Sequence, residues 1–119
     1  MELVSNGDSV LNYLTDDNSL ISSTLFRIDL YCNDSELRAD LYFTLPYANQ
    51  IKLMIRLINI SEVGFYFNTS HFFYQVTNCK LFRQNDFFYL SLDPDESDPL
   101  MSVNDQDFFW CRDIEVYTI

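Results

Sequence analysis

Apolar and polar positions alternate most regularly over two neighbouring runs, Leu37 to Leu45 and Ile51 to Ile60. In the first, Leu37, Ala39, Leu41, Phe43 and Leu45 fall on one side and Arg38, Asp40, Tyr42 and Thr44 on the other, the period of two expected of a half-buried strand. The second sets Ile51, Leu53, Ile55 and Leu57 against Lys52, Met54 and Arg56. Pro46-Tyr47-Ala48-Asn49-Gln50 between them is short and polar, and its proline cannot donate to a ladder. The two runs are therefore expected to form an antiparallel hairpin with one wet face.

Upstream, Asp8 or Ser9 is placed to cap a short helix with Val10, Leu11 and Leu14 on its apolar side. Asp16-Asp17-Asn18 opposes the helix dipole at its end, and a plain surface turn is the alternative there. From Leu20 to Cys32 the pattern is that of a strand, followed by the turn composition Asn33-Asp34-Ser35-Glu36.

Ile58 and Ile60 break the parity of the second central run, so this strand is either buried on both faces or bulged. Val63, Phe65 and Phe67 restart the alternation up to Asn68-Thr69-Ser70, with Gly64 marking a bulge or a close backbone approach. Residues 71–83 admit a helical stripe through Phe72, Phe73, Val76 and Cys79, but the second half is read as a strand. A turn at Arg83-Gln84-Asn85-Asp86 leads to its partner, Phe87 to Leu92. Asp93 to Pro99 is an exposed loop, and Phe108 to Ile119 is a closing strand with apolar residues at both parities.

The expected architecture is mainly β, with α+β as the alternative. It is an antiparallel meander closing into a barrel or a two-layer sheet, with one short N-terminal helix, in a single domain over residues 1–119.

Composition narrows the function. Hydrophobic residues make up 48% of the 119, so a packed core is expected rather than disorder. Eighteen acidic residues against seven basic give a net charge of -11, which argues against nucleic acid or an anionic membrane and suits a basic protein. Cys32, Cys79 and Cys111 are too few and too scattered for a disulfide framework. With neither a readable signal peptide nor a membrane span, a cytoplasmic location is expected.

Catalytic and metal-binding patterns are weak. His71 is the only histidine, the cysteines offer it no local partner, and it is expected to be structural. Asp93, Asp95 and Ser97 match alternate positions of a calcium loop, but Asp98 and Asn104 stand where its glycine and closing glutamate belong. No phosphate loop or nucleophile elbow is present, so no catalytic residue, metal or cofactor is expected.

The distribution of charge is more informative. From Asp86 onward nine acidic residues face one base, Arg112, among Phe87, Phe88, Tyr89, Phe108, Phe109, Trp110 and Tyr117. Carboxylates steer a cationic partner while aromatics anchor it, which makes Asp93, Asp95, Glu96, Asp98, Asp105 and Asp107 the expected charged contacts and Phe108 or Trp110 the anchor. The alternative places all the aromatics in the core and all the carboxylates in solvent.

The meander Phe26 to Ile60, the run Phe65-Tyr66-Phe67 and the segment Phe87 to Asp93 leading to Asp113-Ile114-Glu115-Val116 carry a resemblance. In pattern the chain resembles the small acidic immunity proteins of bacterial polymorphic or contact-dependent toxin systems, and uncharacterised bacterial single-domain proteins of this length. The resemblance implies binding and inhibition of a basic cognate toxin, such as a nuclease-like one, without catalysis. A structural subunit or homodimer is the alternative, and a small carboxylate-dependent hydrolase a further one.

Overall fold

A computed structural model of the chain describes residues 1–47, 51–72 and 74–119. Its strands are β1 (Glu2–Asn6), β2 (Thr24–Asn33), β3 (Glu36–Thr44), β4 (Lys52–Gly64), β5 (Lys80–Gln84), β6 (Phe87–Asp93) and β7 (Gln106–Thr118). One short helix, α1 (Ser9–Tyr13), follows β1. The chain is thus mainly β and antiparallel with one short N-terminal helix, in the sheet order β2-β3-β4-β7-β6-β5 with β1 beside β7.

The central hairpin forms as expected, antiparallel between β3 and β4. Ala39 pairs with Leu57, Leu41 with Ile55 and Phe43 with Leu53, and β7 continues the apolar face with Ile114 and Val116. All of these side chains are fully buried, each stabilising the fold by roughly 1.5–3 kcal/mol for the larger ones. Val10, Leu14, Leu20 and Val76 cover that face from α1 and irregular chain. Ala48, Asn49 and Gln50 of the expected hairpin connection, and Phe73 of the expected helical stripe, lie outside the described residues.

β7 is the spine of the sheet. One edge pairs with β4 over its length, from Phe108 opposite Gly64 to Thr118 opposite Leu53. The other edge is divided end to end, β6 taking Gln106 to Cys111 and β1 taking Glu115 to Thr118. Gly7, at φ 58, bridges the junction by donating its N–H to Ile114 O at 2.9 Å. At this junction the buried parity of β7 changes, from Phe109 and Cys111 to Ile114 and Val116. β4 shifts in step, from Leu57 to Ile60, with Asn59 at φ 57, and a register shift follows between Ile60 and Glu62. The parity break at Ile58 and Ile60 accompanies the left-handed Asn59, and the bulge itself lies beyond them, between Ile60 and Glu62.

Several local expectations are corrected. The sheet does not close into a barrel, because β2 and β5 remain its edges. The segment before β5 meets the start of β2 at the Thr24–Gln75 bridge and through a 2.8 Å bond from Leu25 N–H to Tyr74 O, and Ser22 and Ser23 just before β2 bond to Val76. β4 stops at Gly64, so Phe65, Tyr66 and Phe67 are exposed outside any strand. Neither Asp8 nor Ser9 caps α1 through its side chain: Asp8 pairs with Arg83 at 2.6 Å, and Ser9 Oγ donates back to Asn6 O at 2.7 Å. The turn before β3 is of the mirror-image type suited to hairpins, with Asp34 and Ser35 at φ 52 and 66.

The wet face of the hairpin is tiled rather than bare. Arg56 donates to both carboxylate oxygens of Asp40, at 2.9 and 3.2 Å, and Tyr31 adds its hydroxyl at 3.1 Å. Met54 is sealed on the same face. Among the described residues no helix is long and apolar enough to cross a membrane.

Candidate functional site

The same face carries an aromatic ladder at the other end of the sheet. Phe82 pairs with Tyr89, Tyr89 with Trp110 and Trp110 with Glu62, so one rung crosses β5, β6, β7 and β4. The Tyr89 and Trp110 rings lie 4.6 Å apart between centroids, Phe82 and Tyr89 5.0 Å apart, and Phe82 meets Trp110 edge-on at 6.2 Å. Phe108, one rung along, rests over Gly64: a Cβ there would come within 2.5 Å of Phe108 Cε1. The close approach expected at this glycine is therefore the seat of an aromatic ring.

The loop between β6 and β7 folds onto this ladder through Asp105. Its Oδ1 accepts from Lys80 Nζ and from the Asp95 N–H, both at 2.8 Å; its Oδ2 accepts from Tyr89 Oη at 2.6 Å and the Ser102 N–H at 3.0 Å. Burial pushes this carboxyl up, but the bonds from Lys80, Ser102, Tyr89 and Asp95 outweigh that and hold it below the usual range. Burial likewise drives the Tyr89 hydroxyl far above its ordinary value, and the Asp105 carboxylate adds to the shift.

The acidic residues singled out in the sequence thus divide. Asp105 and Asp107 are buried with internal partners. Asp95 is half-buried and organises the loop: hydrogen bonds from Ser97, Ser102 and Asn104 hold its carboxyl down at about 2. Asp98 accepts from the Leu100 N–H at 3.0 Å, while Glu96 points into solvent. Phe108 and Trp110 are both half-buried.

Trp110 and Glu62 form a wall common to two neighbouring clefts. One, of about 390 Å³, opens toward Gln84, Asn85 and Phe87. The other, of about 250 Å³, opens toward Met101 and Val103. The rim there is apolar and unusually bare, with Leu100 57%, Met101 45% and Val103 93% exposed. Glu62 escaped the sequence reading because only the β4 bulge sets it opposite Trp110.

A second constellation lies where the chain after β4 meets the ends of β6 and β7. His71 Nε2 is 2.8 Å from Asp107 Oδ2 and 3.6 Å from Asp93 Oδ2. Asp107, wholly buried and at φ 52, also accepts the Tyr66 N–H through Oδ1 at 3.0 Å. Burial lifts the Asp93 carboxyl above its usual range, with His71 pulling it down and Asp107 pushing it up. A cavity of about 140 Å³ opens onto His71 and Asp93, with Gln75 and Thr77 in its wall. Sequence spacing gave no sign of this cluster, since His71 and Asp107 stand 36 residues apart.

Comparison with protein-family models, curated proteins and solved structures returns no match.

Proposed function

We propose that the chain is a non-catalytic, cytoplasmic binding protein that docks a basic protein segment across Trp110 and Glu62, as an immunity protein would hold a basic toxin. The observation that carries this reading is the common wall of the two clefts, an indole beside a carboxylate, in a protein of net charge -11. An arginine or lysine inserted there meets the ring face and the carboxylate together, a cation–π contact joined to an ion pair. The exposed Leu100, Met101 and Val103 give such a partner apolar surface beside the charge.

Trp110 is the only tryptophan, so its fluorescence reports on the site directly. Titration with an arginine-rich peptide should shift its emission saturably. Glu62→Gln should weaken binding about tenfold, whereas Asp17→Asn, at an exposed acid that lines neither cleft, should leave it nearly unchanged. No emission change, or an equal loss in both variants, would reduce the effect to general attraction of a polycation and remove the docking face.

A homodimer is a second reading, favoured by the β2 edge. Arg27 and Asp29 project from one face two residues apart, paired at 3.0 Å, so antiparallel pairing about Ile28 sets each Arg27 opposite Asp29 of a second copy. Sedimentation at increasing concentration distinguishes this from a constant 14.1 kDa monomer.

A further inference from the structure

Independently of the docking face, the donor atoms of His71, Asp93 and Asp107 all lie within 4.8 Å of one another. We propose that these three side chains bind a divalent transition-metal ion of the zinc or cobalt class.

The donor set is one imidazole and two carboxylates, which suits an ion of intermediate softness better than calcium or magnesium, whose sites are built from oxygen alone. The two separations from the imidazole agree with the chemistry. With metal–ligand bonds of about 2.0–2.1 Å, tetrahedral ligand atoms stand roughly 3.3 Å apart. The separations from His71 Nε2, 2.8 and 3.6 Å, bracket that distance.

The ligands come from three separate segments: His71 from the chain after β4, Asp93 from the end of β6 and Asp107 from the second residue of β7. Asp107 is oriented by the bond its Oδ1 accepts from the Tyr66 N–H, which leaves Oδ2 turned toward the imidazole. Asp93 is only partly shielded, at 42% side-chain exposure, and lies with His71 on the wall of the 140 Å³ cavity. That cavity is an entry path with room for a water as fourth ligand. Two carboxylates brought together repel one another, and a doubly charged ion removes that repulsion. Once bound, the ion ties the exposed Phe65 to Phe67 segment and its continuation to the ends of β6 and β7.

The test uses the full chain, stripped of metal by chelator, with Co²⁺ as the probe. Expected are visible d–d bands that saturate at one equivalent, are abolished by competing Zn²⁺, and accompany a rise in the melting midpoint. Asp93→Asn and His71→Gln should each weaken Co²⁺ binding by at least about tenfold. Asp93 is partly exposed, so its variant should keep the fold, and the circular dichroism of the metal-free protein checks this. Absence of saturable bands in the wild type would overturn the proposal. So would undiminished binding in Asp93→Asn, which places the ion on other carboxylates of the acidic surface.

Discussion

Lys80 Nζ lies 2.8 Å from Asp105 Oδ1 in a pair whose side chains are 8% and 0% exposed. The ammonium also donates to Leu100 O at 2.6 Å, so one lysine on β5 pins both ends of the loop segment Leu100 to Asp105. Asp105→Ala leaves a buried ammonium without its counter-charge. A loss of about 3–5 kcal/mol is expected, read from urea unfolding midpoints. Tyr89→Phe removes one donor to the same carboxylate and should cost about 1.5–3 kcal/mol.

Gly64→Ala tests how tightly Phe108 is seated. The added methyl meets the ring at 2.5 Å, and overpacking of this kind costs about 1–3 kcal/mol. Phe108→Leu should itself destabilise, yet in its background the alanine should cost less. A double-mutant cycle in denaturant measures that coupling, and strict additivity would show that the ring does not set the requirement for glycine.

Burial pushes the Cys79 thiol up to about 11 and the Cys111 thiol up to about 12. A pKa raised by folding contributes stability that is intact below the unfolded value, roughly 8.5 for a thiol, and is lost as pH rises through the folded value. Unfolding midpoints should accordingly fall between about pH 9 and 12, with Tyr89 contributing in the same direction. Cys111→Ala should start from a lower midpoint, because it opens a cavity, and should show a shallower alkaline fall.

The three thiols should also separate kinetically. Cys32 is exposed, Cys79 half-buried and Cys111 buried. A disulfide reagent at mildly alkaline pH should modify one thiol at once and the other two only upon unfolding. Two rapid equivalents would mean that the chain around Cys79 opens locally.

Legibility in the sequence followed the number of buried faces. β3 and the first half of β4 turn an apolar face to the core and a mostly polar one away from it, so Leu37 to Leu45 and Ile51 to Leu57 alternate and give strand and core together. Where β7 passes from β6 to β1 as its neighbour, Arg112 and Asp113 interrupt the alternation, and no period survives to be read. The acidic third showed its charge but not which carboxylates are enclosed. Asp105 meets Lys80 across 25 residues and Asp107 meets His71 across 36, separations that only the folded sheet brings together. Phe65 and Phe67 kept the rhythm of a strand in sequence although β4 ends at Gly64.

Because β7 follows β1, β4 and β6 in sequence and pairs with all three, it governs the order of assembly. As the polypeptide emerges from the ribosome, β2, β3 and β4 can form a meander, and β5 and β6 a hairpin, but each piece carries an edge whose partner has not been made. β1 waits longest, since Glu2 pairs with Thr118. Such dependence on distant pairing makes folding slow and leaves apolar half-sheets in reach of other chains while synthesis continues. High net charge opposes such association: nascent copies repel one another until β7 is made and joins the halves.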